Sequence, residues 1–89
     1  MSGEHRISLP MDLSHLRRES RTALELAIVE LAPNELIDSL AVVTGLLEAL
    51  SELPADSAPA LTLGPTTADR ARLALQAWRG WAERRKKLA

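Results

Sequence analysis

Apolar residues recur at three- and four-residue steps along most of the chain, which is the spacing of one face of an α-helix. A first helix is predicted over residues 13–32. Asp12 or Ser14 can cap its start, because either oxygen can accept a hydrogen bond from a free amide of the first turn. Residues 1–11 mix charge, glycine and proline and are predicted to form a flexible tail. The shared face of this helix consists of Leu13, Leu16, Ser20, Ala23, Ala27 and Leu31.

The helical pattern restarts after Pro33, because proline disfavours the helical conformation in the residue before it but suits the first turn of a new helix. A second helix is predicted over residues 34–53. Gly45 lies in its middle, where glycine costs about 1 kcal/mol relative to alanine. This glycine therefore predicts either close approach by another helix or a bend. The apolar stripe of the second helix has heptad-like spacing and consists of Leu36, Leu40, Val43, Leu47 and Leu50.

Prolines and small residues interrupt the helical pattern over residues 54–66, which are predicted to form a loop. Thr66 followed by Asp69 resembles a capping box, so a third helix is predicted over residues 67–88. The pattern as a whole predicts an all-α fold in a single domain over residues 12–89. This domain is a small bundle of about three helices, either self-contained or completed by oligomerisation. The apolar stripe of the third helix consists of Ala71, Ala74, Leu75, Trp78, Trp81, Ala82 and Leu88.

Composition narrows the class of protein. Hydrophobic residues make up 46% of the chain and charged residues 26%, a balance typical of folded globular proteins. The chain has no cysteine, which excludes disulfides, thiolate nucleophiles and thiolate zinc sites. The absence of cysteine and the absence of an apolar signal segment at the N-terminus both favour a cytoplasmic location. The longest apolar window, residues 36–50, is shorter than the roughly 20 residues that a membrane span needs, so no span is expected.

Charge is sorted along the chain, although the formal net charge is only −1. Residues 33–67 carry five acids and no base, whereas residues 68–89 carry seven bases and two acids. One interpretation is that the acidic second helix pairs with the basic third helix inside one molecule. A second is that the acidic face of one protomer meets the basic face of the next. A third is that the basic end binds a nucleic acid or an anionic membrane.

The only aromatic residues are Trp78 and Trp81, three positions apart on the third helix. Their place on the apolar stripe favours packing into the core. Base stacking in a nucleic-acid complex is an alternative, which needs exposed rings beside cations such as Arg79. A partner-binding surface is a third alternative, because tryptophan is enriched at interface hot spots.

Motifs that would indicate catalysis or cofactor binding are absent. The sequence contains no HExxH, GxxxxGK[ST], GxGxxG or GxSxG. His15 has Asp12 and Glu19 at helical spacing, which we interpret as an electrostatic arrangement at a helix start rather than a metal site. We therefore expect no enzymatic activity, cofactor, metal or small-molecule substrate.

These features together predict a non-enzymatic protein–protein interaction module. In size, helical content and sorted charge the chain resembles small adaptor and assembly domains, including the death-like domains of bacterial defence and signalling proteins. Those domains use six shorter helices, whereas this pattern predicts three. The expected partner is a protein, either a second copy or a different chain. The candidate partner-binding residues are Trp78, Arg79, Trp81, Arg84, Arg85, Lys86, Lys87, Glu35, Asp38, Glu48 and Glu52.

Two alternative functions remain open at this point. The first is nucleic-acid binding by the basic third helix, through Arg70, Arg72, Arg79 and residues 84–87. The second is a small inhibitor or immunity protein, which the sequence does not distinguish from an adaptor.

Overall fold

The computed structural model describes the backbone of residues 4–88 and the side chains of residues 13–88. This part of the chain forms three helices, α1 (Glu4–Val29), α2 (Asn34–Ser51) and α3 (Ala58–Leu88), and contains no strand. Each helix packs against the other two. The predicted small all-α bundle is therefore confirmed.

One core forms where the three apolar stripes meet. The α2 stripe is confirmed in full, since its first member is half-buried and the other four are buried. Alanine dominates the contributions of α1 and α3, and short side chains let helix axes approach closely. The buried residues of this cluster are Leu16, Ala23, Ala27, Ala32, Leu40, Val43, Leu47, Ala68, Ala71, Ala74 and Leu75.

The end of α1 differs from the prediction that Leu31 continues the core face. The amide of Leu31 donates to the Ile28 carbonyl at 3.2 Å, and the amide of Ala32 donates to the Ala27 carbonyl at 2.9 Å. This pair of bonds is a Schellman motif, which places Leu31 in the left-handed region with φ 58°. Leu31 consequently exposes 84% of its side chain, and Ala32 takes the buried position.

The connection before α3 is shorter than the predicted loop over residues 54–66. The Ser57 carbonyl accepts the first helical bond from Leu61 at 2.9 Å, and the Ser57 hydroxyl accepts from the Ala60 amide at 3.3 Å. Ser57 is therefore the N-cap, and the chain is helical from Ala58 rather than from residue 67. Pro65 lies inside α3, and Thr66 does not begin it.

The start of α1 also differs from the sequence-based expectation. The helix begins at Glu4, so Asp12 and Ser14 lie within it and neither is its cap. Of the predicted flexible tail over residues 1–11, residues 4–11 are helical, and residues 1–3 lie outside the described residues.

Gly45 does not mark a close approach between helices of this chain. A Cβ atom built on Gly45 meets no heavy atom within 4 Å apart from its chain neighbours and the backbone of its own helix, and the residue is exposed. Gly64 does lie at a contact between helices, because a Cβ there would lie 3.6 Å from Cδ1 of Leu13. The prediction that another helix approaches closely at Gly45 is therefore wrong.

The bundle is elongated, with extents of 49 × 26 × 16 Å along its principal axes. The long dimension matches α3, whose 31 residues span about 46 Å at 1.5 Å per residue. No helix within residues 4–88 is both long enough and apolar enough to cross a bilayer.

Candidate interaction surfaces

The two tryptophans lie at the margin of the core, on the side of α3 that faces α1. Their ring centroids are 5.6 Å apart and the ring planes make an angle of 27°, so the indoles stack on each other. Both side chains are half-buried and pack against the core cluster. Leu88, predicted on the same stripe, is exposed beyond the end of the core.

Arginines of α3 reach one carboxylate of α1 and one just after its end. Nη2 of Arg79 lies 3.5 Å from Oε2 of Glu19, and Nε of Arg85 lies 3.7 Å from Oε1 of Glu30. The guanidinium of Arg85 also lies over the Trp81 ring, 5.2 Å from its centroid. Two of the predicted partner-binding cations are thus engaged within the bundle.

The acidic helix does not pair with the basic helix inside one molecule. Among the side chains of residues 13–88, no α2 carboxylate forms an ion pair with an α3 base. Glu48 instead lies 3.8 Å from Arg21 of α1. The first interpretation of the sorted charge is therefore wrong, because the ion pairs that α2 and α3 make with other elements involve Arg21 and Glu19 of α1 and Glu30 just after it.

Several charges on α2 and α3 form no ion pair with any other described side chain. On α2 these are Glu35 and Asp38, with Glu52 just after its end. On the exposed last turns of α3 they are Arg84, Lys86 and Lys87. Six of the eleven predicted site residues therefore carry charges with no ion-pair partner among the described side chains.

A groove of about 440 Å³ separates α1 from α3. Arg18 and Arg79 are its basic lining residues and Glu19 is its acidic one. Glu19 is shared, since Oε2 lies 3.5 Å from His15 Nε2 and 3.5 Å from Arg79 Nη2. Arg79 is thus already engaged by a carboxylate of the protein itself.

A second groove, of about 420 Å³, separates α2 from α3, and we call it the α2–α3 groove. Val42 and Leu73 lie on its two walls with 47% and 66% of their side chains exposed. Asp38 lies on the α2 wall and Arg70 on the α3 wall, and neither forms an ion pair with a described side chain. The lining residues are Asp38, Ser39, Val42, Val43, Arg70, Leu73, Ala74 and Ala77.

Asp38 and Arg70 were predicted from the sequence as candidate binding residues, whereas Val42 and Leu73 were not. Both apolar residues lie off the helical stripes that bury the core, so periodicity gave no reason to select them. Large apolar residues off the stripe are the signal that was available in the sequence.

Groups of three or more potential metal ligands do not occur among the described residues. His15 lies 3.5 Å from Glu19, and the side chain of Asp12 lies outside the described residues.

Comparison with known proteins adds no relative, since no family model, curated protein or solved structure matches the chain. What the protein does must be inferred from the geometry of its surfaces.

Proposed function

We propose that the protein is a non-enzymatic interaction module that binds a helical protein partner in the α2–α3 groove. The observation that carries this proposal is the pairing, in one groove, of exposed apolar side chains with unpaired charges on both walls. Val42 and Leu73 supply apolar area, and Asp38 and Arg70 supply orientation. Interfaces combine these elements in the same way, with an apolar centre and a charged rim.

The molecule exposes more surface than a compact monomer of its mass, which leaves room for a partner. The chain exposes 6117 Å², whereas a compact monomer of 9.7 kDa exposes about 5100 Å². The difference follows from the elongated shape of the bundle. Its radius of gyration of 14.5 Å also exceeds the approximately 12 Å expected for a compact chain of this length.

Nucleic-acid binding has less support from the same geometry. Base stacking needs open indole faces, but Trp78 and Trp81 cover each other and Arg85 covers Trp81. Arg84, Lys86 and Lys87 remain exposed and carry what support there is for this alternative.

Substitutions in the groove test the proposal. Leu73→Glu and Val42→Glu place a carboxylate in the apolar centre, and the control Leu88→Glu changes a more exposed leucine outside the groove. We expect association, with itself or with another protein, to persist in Leu88→Glu and to be lost in both groove variants. The readouts are solution mass by light scattering and quantitative affinity purification from the cells that make the protein. A wild type that stays monomeric and retains nothing beyond what Leu73→Glu retains would contradict the proposal.

A further inference from the structure

The α2–α3 groove is self-complementary. Its acidic wall is α2, represented by Asp38, and its basic wall is α3, represented by Arg70. Both charges line the same groove, yet they are too far apart to form an ion pair with each other. Each is therefore available to a charge of opposite sign that enters from outside.

From this we infer that the occupant of the groove is a second copy of the chain, packed face to face about a two-fold axis that crosses the groove at a right angle to the line from Asp38 to Arg70. Such an axis brings Asp38 on α2 of one protomer to Arg70 on α3 of the other and repeats the same contact in reverse. Asp38 of each protomer then meets Arg70 of its partner, twice per dimer. Val42 and Leu73 of both chains meet at the centre. This inference rests on the proposed function and names the partner that the groove takes.

The distribution of charge along both helices favours a second copy over a different chain. The exposed acids of α2 have no basic neighbour on their own helix, and α3 carries a basic excess. Within the described residues these two sets form no ion pairs with each other inside one protomer. A second copy supplies both complementary charges at once, whereas a uniformly acidic or uniformly basic partner would match one wall and repel the other.

The two-fold arrangement makes a specific prediction for charge reversal. In an Asp38→Arg homodimer, arginine would face arginine at both contacts, and in an Arg70→Asp homodimer, aspartate would face aspartate. We expect each reversal to weaken self-association at least tenfold. An equimolar mixture of the two variants restores opposite charges at both contacts, so we expect it to form a heterodimer. The double variant Asp38→Arg/Arg70→Asp should likewise dimerise.

The experiment is light scattering on a size-exclusion column over a range of protein concentrations at low salt. Asp56→Arg and Arg84→Asp are matched controls, since they make the same charge changes at exposed positions outside the groove. We expect wild type and both controls to have twice the mass of the 9.7 kDa protomer. All variants change exposed residues, and helical circular dichroism confirms folding.

Two results would overturn the inference. One is a wild type that remains monomeric at every concentration. The other is a dimer whose mass is unaffected by either reversal, or whose reversals are not rescued by mixing. A monomer that binds a different protein and loses it on Leu73→Glu overturns self-pairing and leaves the proposed interaction module standing. A monomer that binds nothing overturns both.

Discussion

The guanidinium of Arg85 lies 5.2 Å from the ring centroid of Trp81, in the position of a cation–π contact. The same side chain lies 3.7 Å from Glu30 near the C-terminal end of α1. One arginine therefore contacts both the Trp81 ring and the turn that follows α1. A base cannot stack on the part of the Trp81 ring that Arg85 covers.

Removing this arginine should both destabilise the bundle and open the indole. An exposed cation–π contact contributes about 0.5–1 kcal/mol and an exposed ion pair about 0.2–1 kcal/mol, so we expect Arg85→Ala to lower the unfolding free energy by about 1 kcal/mol. Tryptophan fluorescence should shift to longer wavelength and be quenched more by acrylamide. Urea unfolding and quenching measure the two effects. Arg84→Ala, one position away, is the control and should change neither quantity; equal effects in the two variants would contradict the Arg85 contact.

Replacing Leu31 with glycine should stabilise the protein. A non-glycine residue in the left-handed region costs roughly 1–2 kcal/mol, part of which glycine loses again through its more flexible unfolded state. Because Leu31 is exposed, little burial is lost, and we expect Leu31→Gly to raise the unfolding free energy by about 0.5–1 kcal/mol. Leu31→Ala keeps the backbone strain and should not stabilise. Urea midpoints that coincide for the two variants would show that φ at residue 31 is not strained.

Replacing Gly45 with alanine should stabilise the protein. A Cβ there meets nothing within 4 Å, so the helix propensity of alanine is gained without a clash. We expect Gly45→Ala to stabilise the protein by about 1 kcal/mol, measured by thermal or urea unfolding. Ala41→Gly makes the reverse change at an exposed position of the same helix and should destabilise by a similar amount. A Gly45→Ala variant that is less stable than wild type would contradict the open environment of this residue.

Ser20 carries a buried hydroxyl that forms no hydrogen bond with any other described residue. A buried unsatisfied polar group costs about 1–3 kcal/mol, and part of any gain on its removal is offset by the small cavity left behind. We expect Ser20→Ala to stabilise the protein by about 1 kcal/mol. Ser14→Ala in the same helix is the exposed control and should give only the propensity gain of about 0.5 kcal/mol. Equal changes in the two urea midpoints would indicate that the Ser20 hydroxyl is satisfied in solution.

The helices and most of the core could be predicted from the sequence because both depend on local spacing. The stripe from Leu36 to Leu50 needs only a period near 3.6 residues to be recognised, and the structure buries it. The exposure of Leu31 was not predicted, because a Schellman motif is usually signalled by glycine. A leucine at that position fits the spacing of the core residues.

The arrangement of charge could not be predicted for a different reason. Exposed ion pairs depend on how helices are rotated about their axes, which the charge order along the chain does not specify. Arg79 therefore meets Glu19 of α1, and Arg85 meets Glu30 just after α1, although α2 carries the larger acidic excess. The α2–α3 groove was missed for the same reason, since Val42 and Leu73 become neighbours only through the packing of two helices.

The basic end of α3 should bind nucleic acid only weakly. With the indoles covering each other, only phosphate contacts by Arg84, Lys86 and Lys87 are available there. We expect no mobility shift of single-stranded or duplex probes at near-physiological salt, because so few contacts provide only weak, salt-sensitive binding. Binding that persists there, falls with salt at a slope of about 0.9 per contacted phosphate and disappears in Arg84→Ala/Lys86→Ala/Lys87→Ala would contradict this expectation. In that case Leu73→Glu should leave probe binding intact, which separates a nucleic-acid surface on the last turns of α3 from the protein-binding groove.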